Sequence, residues 1–312
     1  MTLVSVVGAG GLLGRALSEA AARRGAGLVR FTGLDWRAPR LAAAAIAEGS
    51  RGALSAGPPP RWTVVWCAGI GGVGADEHGL DVETDLLRRT VHAVRALADG
   101  HAIPTVFSFA SSAGAVWSGS RVATLSEGSP PAPWHDYGRA KLAQERAVAE
   151  EVRGSPHLRA RLARISNLYG AQPWQHAPKG LVGHLVGNAL KRVPTPIYVP
   201  LDTQRDYIHV DHAAGMMLAD AWCSFDRRAG SVGVDLVASG QSHTIAAVTA
   251  TLSHVLQRRV ALIVGYSALA ARQPRILAFR SACRDLAALN PTSLPDGIRR
   301  VVNGQLAGTA RA

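Results

Sequence analysis

The chain has 312 residues, 47% of them hydrophobic and 18% charged, enough to bury a substantial core in one large or two interlocked domains. Its cysteines, Cys67, Cys223 and Cys283, are odd in number and widely spaced, which excludes a disulfide framework and points to the reducing cytoplasm; no apolar run reaches the roughly 18 residues of a membrane helix. The formal net charge is +12, but only 3 of the 34 basic residues are lysines and the arginines are dispersed, so the charge reads as a solvated surface or a preference for small anionic ligands, with nucleic acid unlikely.

Along the chain, short apolar runs alternate with longer helical patterns. "LVSVVG" reads as a buried strand, "LLGRALSEAAARRG" as a helix, "GLVRFTG" as a second strand and "LAAAAIAEG" as a second helix. "WTVVWCAG" follows as a third strand, "ETDLLRRTVHAVRALADG" as a strong helix and "PTVFSFASS" as a fourth strand ending in small polar residues. A helix around Tyr137 and Lys141 then leads into "LRARLARISNLYG", read as one further strand. This alternation predicts an α/β fold, a Rossmann-type doubly wound parallel sheet with helices on both faces. "SAGPPP" is a loop within it. From about Gly170 the alternation breaks down in proline-rich stretches. Residues 1–169, completed by a segment near 205–258, are expected to form the first domain, and 170–204 with 259–312 a smaller lobe ending in an irregular "LAGTARA" tail.

"VSVVGAGGLLGRAL" places Gly8, Gly11 and Gly14 between a strand and a helix. In a doubly wound sheet such a turn lets the backbone approach a pyrophosphate, whose charge the N–H groups and positive end of the helix stabilise. The spacing is GxxGxxG, with Gly10 leaving the turn permissive. An acidic residue about 20 positions on would bind the adenosine ribose. Thr32 falls at the tip of the second strand and Asp35 three residues beyond. If Asp35 reaches the ribose, NAD is the cofactor; if it does not, Arg37 or Arg40 meets a 2′-phosphate and NADP is preferred.

"WHDYGRAKLAQE" sets Tyr137 four residues before Lys141, so a phenol and an ammonium share one helix face. Together with "GAGGLLG", "SFASSAGAVW", "ARISNLYGAQ", "RDYIHVDHAAG" and "NPTSLPDGIRRVV", in that order, the chain resembles the extended short-chain dehydrogenase/reductase family, in its nucleotide-sugar epimerase/dehydratase/reductase branch. The resemblance implies that Tyr137 is the general acid/base at a sugar hydroxyl or carbonyl while hydride passes to or from a nicotinamide. A free phenol with pKa near 10 is a poor base at neutral pH, so the Lys141 cation must stabilise the phenolate. Lys141 would also bond the nicotinamide ribose, and Leu12, Ala68 and Gly69 would border the cofactor.

The family's Ser or Thr stands three residues before the aliphatic member of a "VY" pair. Here the pair is Val116 and Trp117, so the count lands on Ala113; Ser112 is assigned the role, with Ser111 as its neighbour on the substrate side. The resemblance gives Arg205 to a nucleotide diphosphate, a role that suits a planar guanidinium, against the alternative of a surface pair with Asp206. Asn167 would sit near the substrate. Trp134 and Trp174 would pack on a sugar or base, or within the core. His209 and His212 form an HxxH pair with no third ligand at sensible spacing, so no metal is expected.

The implied activity is an NAD(P)-dependent epimerase or 4-ketoreductase acting on a nucleotide-linked sugar in the smaller lobe. A 4,6-dehydratase is disfavoured because "SSAGAVW" lacks that group's Thr-Asp-Glu set. A non-catalytic dinucleotide sensor or scaffold is the alternative. Relatives commonly dimerise through two helices, here around 83–99 and 137–153, whose outer faces would carry Arg88, Arg89 and Arg95 against Glu145, Glu150 and Glu151.

Overall fold

A computed structural model describes residues 1–69, 76–172, 179–219, 228–283 and 291–309. In chain order the elements are β1 (Leu3–Val7), α1 (Leu12–Arg23), β2 (Gly27–Phe31), α2 (Pro39–Ser55), β3 (Trp62–Trp66), α3 (Glu77–Gly100), β4 (Thr105–Ser112), α4 (Ala113–Val116), β5 (Thr124–Leu125), α5 (Asp136–Val152), β6 (Leu158–Ile165) and β7 (Asn167–Tyr169). There follow α6 (Gly180–Lys191), β8 (Thr195–Ile197), β9 (Gln204–His209), α7 (Val210–Met217), β10 (Val232–Val237), β11 (Ser242–Thr244), α8 (Ile245–Leu256), β12 (Leu262–Val264), α9 (Ala268–Ala271), β13 (Ile276–Phe279) and α10 (Leu294–Thr309).

Six parallel strands form the central sheet in the order β10-β6-β4-β3-β1-β2. Their runs of Val, Ile, Leu and Phe carry apolar side chains on both faces, as a sheet covered by helices on each side requires. One face packs against α2, α3 and α5 through Ile46, Leu86, Leu87, Val91, Val148 and Val152. The other packs against α1 and α7 through Leu13, Leu17, Ala213, Ala214 and Met216. The chain runs from β1 outward to β2 and then back across to β3, so the strand order reverses at β1/β3. That is where a doubly wound sheet leaves a crevice at its carboxyl edge.

"LRARLARISNLYG" is two strands, not one. β6 stays in the central sheet beside β4 and β10, whereas β7 pairs with β9 in a second sheet ordered β11-β9-β13-β5. Ser166 is the point of departure: its N–H still bonds Val237 O at 2.9 Å, while its hydroxyl bonds the Asp206 carboxylate at 2.5 Å, tying the break to β9. A further apolar cluster joins α6, α8 and α10 through Leu185, Val186, Val248, Leu252, Ile298 and Val301. The C-terminal stretch expected to be irregular is helical through Thr309. Among the described residues no helix is long and apolar enough to cross a membrane.

Candidate active site

The glycine turn closes over the ends of β1 and β3. Gly8 has φ +92°, and a Cβ there would lie 2.6 Å from Ala68 N; one on Gly14 would lie 2.1 Å from Gly8 O. These contacts admit only glycine if α1 is to start directly above β1. Gly11 is the N-cap of α1, without a side-chain cap, and the first turn carries no acidic residue. The opening N–H groups, beginning with that of Leu12, therefore lack intrahelical partners and present a positive helix end, which fits the pyrophosphate of a dinucleotide.

Beyond β2, a Cβ on Gly10 would come 3.8 Å from the Thr32 side chain, so Thr32 is the strand-tip residue beside the turn. Asp35 lies further along the loop, exposed, and its carboxylate accepts the Arg37 N–H at 3.0 Å. Arg37 and Arg40 are exposed as well.

Tyr137 and Lys141 occupy the first turns of α5. His135 is the N-cap, its Nδ1 accepting the Gly138 N–H at 2.9 Å, and its ring stacks on Tyr137 with centroids 6.2 Å apart. Lys141 is buried, with Nζ 5.7 Å from the Tyr137 ring centroid and 5.2 Å from that of Phe109. Two of its hydrogens are committed, to Glu83 Oε1 at 2.8 Å and Gln144 Oε1 at 2.9 Å. Burial opposes the ammonium, but the charges of an ionised Tyr137 and of Glu83 outweigh it and hold Lys141 above the usual lysine pKa, so it stays protonated.

Glu83 also connects the pair to the glycine turn. A Cβ on Gly69 would meet its carboxylate at 3.2 Å, and Gly69 follows the Ala68 that packs on Gly8. The sequence pattern does contain a signal for Glu83: it falls on the apolar stripe of α3 with Leu80, Leu86, Leu87 and Val91, where an exposed acid would not be placed.

Ser112 ends β4 and caps α4, its Oγ accepting the Ala115 N–H at 3.3 Å; the hydroxyl hydrogen is left to donate. Ser111 is buried and donates to Glu145 Oε1 at 2.6 Å. Glu145 in turn receives Arg164 through Nε at 3.0 Å and Nη2 at 2.7 Å. This corrects the expectation that Glu145 lies on the outer face of α5: it is 3% exposed and points toward β4 and β6. Ala113, at the counted serine position, is fully buried, and Trp117 packs beneath Arg164, whose Cζ is 4.8 Å from the ring centroid. Trp134 is partly buried with Arg272 over its ring at 4.8 Å; Trp174 lies outside the described residues.

Ser112 is the register partner of Ile165, and one residue beyond Ile165 a cavity of about 530 Å³ opens, lined by Ser166, Asn167, Tyr169, Tyr198, Arg205 and Tyr207 among others. Asn167 donates to Asp206 O at 2.8 Å, which fixes its side chain at the cavity wall. Arg205 does not pair with Asp206. Its guanidinium bonds Gln204 O at 2.8 Å, Gln273 Oε1 at 3.3 Å and Arg275 O at 3.4 Å, all neutral acceptors, and burial pushes it below the usual arginine value. Asp206, fully buried, instead accepts Ser166 and both the N–H and hydroxyl of Ser239. The cavity wall thus carries a guanidinium that meets no carboxylate among the described residues.

His209 is buried at the β9–α7 junction, where its Nδ1 accepts the Asp211 N–H at 3.3 Å and caps α7. No group of three or more His, Cys, Asp or Glu side chains suited to a metal occurs among the described residues.

A glycine turn at a bare helix end, a Tyr/Lys pair on a helix of the opposite sheet face and an arginine-bearing cavity past the end of β6 define a dinucleotide-binding fold of the Rossmann type. The profile of the NAD dependent epimerase/dehydratase family matches residues 4–221, and the chain belongs to that family. No curated protein sequence matches it. Among solved structures it is similar to MoeE5 in complex with UDP-glucuronic acid and NAD, at 21% identity over 99% of each chain with a TM-score of 0.77. It is also similar to a UDP-N-acetylglucosamine 4-epimerase from Methanobrevibacter ruminantium M1, at 17% identity over 98% of each chain with a TM-score of 0.77. The UDP-glucose-4-epimerase from Stenotrophomonas maltophila, with bound NAD, gives 19% identity over 100% of each chain and a TM-score of 0.75. At these identities the likeness is one of fold.

Proposed function

We propose that the chain is an NAD-dependent epimerase of a nucleotide-linked sugar. The observation that carries this reading is the position of the cavity bearing Arg205: it opens one residue past the register partner of Ser112, at the carboxyl ends of β4 and β6. A diphosphate supplies the negative charge that Arg205 lacks, and a bidentate guanidinium–phosphate contact suits its geometry. Asn167 and Ser112 then face the sugar end.

NAD, when bound, supplies the hydride acceptor and donor at the sugar ring carbon. The chain's own contribution is proton management. Tyr137 takes the proton of the reacting hydroxyl and later returns it, Ser112 donates a hydrogen bond to the same oxygen, and Lys141 keeps a positive charge beside the phenol throughout. The bare end of α1 and the backbone at Gly8, Gly11 and Gly14 hold the pyrophosphate, with Leu12, Ala68 and Gly69 alongside. Within this reading residues 1–169 and the segment near 205–258 form the dinucleotide domain and also contribute Asn167 and Arg205 to the substrate cavity, whose wall is completed by the smaller lobe of 170–204 and 259–312.

A second reading, an NADPH-dependent 4-ketoreductase, is favoured by one observation: Thr32, which has no carboxylate, stands beside the glycine turn, while Asp35 is engaged in its own loop near exposed Arg37 and Arg40. Mass analysis of any dinucleotide released on denaturation, with titration of the emptied protein by NAD and NADPH, separates the two readings. The acid/base role is tested by Tyr137→Phe on a panel of UDP-sugars. This variant is expected to keep cofactor affinity and lose about 10²-fold or more in turnover; turnover equal to wild type would remove Tyr137 from the mechanism.

A further inference from the structure

The carboxylate that α3 delivers to Lys141 has no place in the proton management just described. Glu83 is 1% exposed, and its Oε1 accepts from Lys141 Nζ at 2.8 Å and from Gln144 Nε2 at 3.2 Å. Gln144 braces the arrangement, since its amide also donates to Thr84 Oγ1 at 3.2 Å on the same helix as Glu83. The charged and titratable groups facing Lys141 are Glu83 from α3 and Tyr137 and Glu145 from α5, with the Phe109 ring from β4, and Tyr137 is itself faced by the imidazole of His135, the α5 N-cap, with ring centroids 6.2 Å apart. Glu145 is matched by the two-pronged contact from Arg164 of β6. Glu83 is the carboxylate in direct hydrogen-bond contact with the lysine.

An ammonium that stabilises a phenolate works through its uncompensated charge. With a carboxylate 2.8 Å away, in surroundings that screen poorly, much of that charge is cancelled before it reaches the Tyr137 ring at 5.7 Å. Glu83 and an ionised Tyr137 compete for the same cation. Glu83 also fixes where the cation sits, because it and Gln144 hold two of the three ammonium hydrogens.

We propose that Glu83 is a positioning residue which anchors Lys141 and, by cancelling part of its charge, raises the pH at which Tyr137 becomes a base. The inference rests on the Tyr137–Lys141 reading above and adds a tuning element to it. Its consequence is directional: neutralising Glu83 leaves Lys141 uncompensated, so phenolate forms at lower pH.

The test is a pH titration of tyrosinate difference absorbance in the purified full chain, each protein measured against its own Tyr137→Phe counterpart so that only this phenol is read. Glu83→Gln keeps the shape and an acceptor for Lys141, and its tyrosinate midpoint is expected about one pH unit below wild type. Glu83→Asp retains the charge and is expected to restore the wild-type midpoint. Should Glu83→Gln fail to fold, Glu83→Asn, which leaves room for water, carries the same expectation. A midpoint in a neutral variant that stays at the wild-type pH or moves upward overturns the proposal. Failure of both neutral variants to fold while Glu83→Asp folds would make the carboxylate a structural lock and overturn it as well. The titration needs no sugar substrate, so it is separate from the functional reading: absence of turnover on UDP-sugars leaves the midpoint comparison intact, and a Tyr137→Phe enzyme that still turns over refutes the acid/base role whatever Glu83 does.

Discussion

The glycine turn makes a graded prediction, because three of its glycines face very different surroundings. An alanine at Gly14 would put its methyl carbon 2.1 Å from Gly8 O and 2.7 Å from Ala9 Cα, both backbone atoms that cannot swing away. Ordinary contact is about 3.5 Å, so α1 must lift off β1 by more than an ångström. Overpacking of this kind costs about 1–3 kcal/mol, and at roughly 2–4 °C per kcal/mol the Tm should fall by about 2–12 °C. The same displacement moves the bare helix end proposed to receive the pyrophosphate, so NAD affinity should fall about tenfold or more, a loss of about 1.4 kcal/mol. Gly8→Ala adds left-handed strain at φ +92° to a 2.6 Å clash with Ala68 N and should behave at least as badly. At Gly10 the nearest atom is 3.8 Å away and φ is not in the left-handed region. Alanine there reduces the freedom of the unfolded chain and should raise stability by about 0.4–1 kcal/mol with cofactor binding unchanged. Thermal unfolding and cofactor titration of the three variants decide it. The reasoning fails if Gly14→Ala binds NAD like wild type, or if Gly10→Ala loses as much stability as Gly14→Ala.

Arg205→Gln should weaken nucleotide-sugar binding by about 10- to 100-fold, the worth of charged hydrogen bonds, with NAD affinity unaltered in the same calorimetric titration. Asp235→Ala removes the carboxylate bonded to Arg161, fully buried on β6, whose guanidinium also donates to the Met216 and Met217 carbonyls at 3.1 and 2.9 Å; a loss of about 3–5 kcal/mol by urea unfolding is expected, largely recovered in Arg161→Met/Asp235→Leu. His135 and His209 both cap helices through Nδ1 and both have pKa values lowered, first by burial. A depressed folded pKa means stability present above the unfolded value of about 6.5 and lost as pH falls below it. Tm should therefore drop on acidification from about pH 7 to 5, and His135→Asn, which caps without titrating, should make that drop shallower.

The parts of the site that depend on spacing were legible in the sequence, and those that depend on which way a charge faces were not. GxxGxxG after a short apolar strand and YxxxK on the fifth major helix are local patterns, and backbone periodicity places them without knowledge of neighbours. Glu145 was assigned to the outer face of α5 because an acid is ordinarily solvated, but Arg164, nineteen residues away on the adjoining strand, holds it inside with a two-pronged contact. Arg161 and Arg164 themselves, with the partly exposed Arg159, interrupt a strand that is otherwise apolar, which signals buried partners without saying where they are. Ser166 shows the same limit. Nothing in "ARISNLYG" marks a change of sheet, because the change is enforced by the Asp206 carboxylate, forty residues on.

Among the described residues three ion pairs are almost wholly withdrawn from water: Lys141 with Glu83, Arg164 with Glu145 and Arg161 with Asp235. Burying such pairs yields little net stability over well-packed apolar side chains, because desolvation cancels most of the attraction. Their value lies in geometry, and their positions agree with that. Asp235 and Arg161 lock β10 to β6 and hold the carboxyl end of α7 against the sheet through two main-chain carbonyls. Arg164 and Glu145 bind β6 to α5, and Ser111 attaches β4 to the same carboxylate, so the three elements around Ser112 and Tyr137 share one fixed charge pair. Glu83 and Lys141 bind α3 to α5 beneath Gly69. An apolar interface would pack these elements as tightly but would tolerate sliding by fractions of an ångström. Hydrogen-bonded charges in a dry interior do not, and in the proposed mechanism it is at Tyr137, where a proton would be exchanged across a single hydrogen bond, that such slippage would cost most.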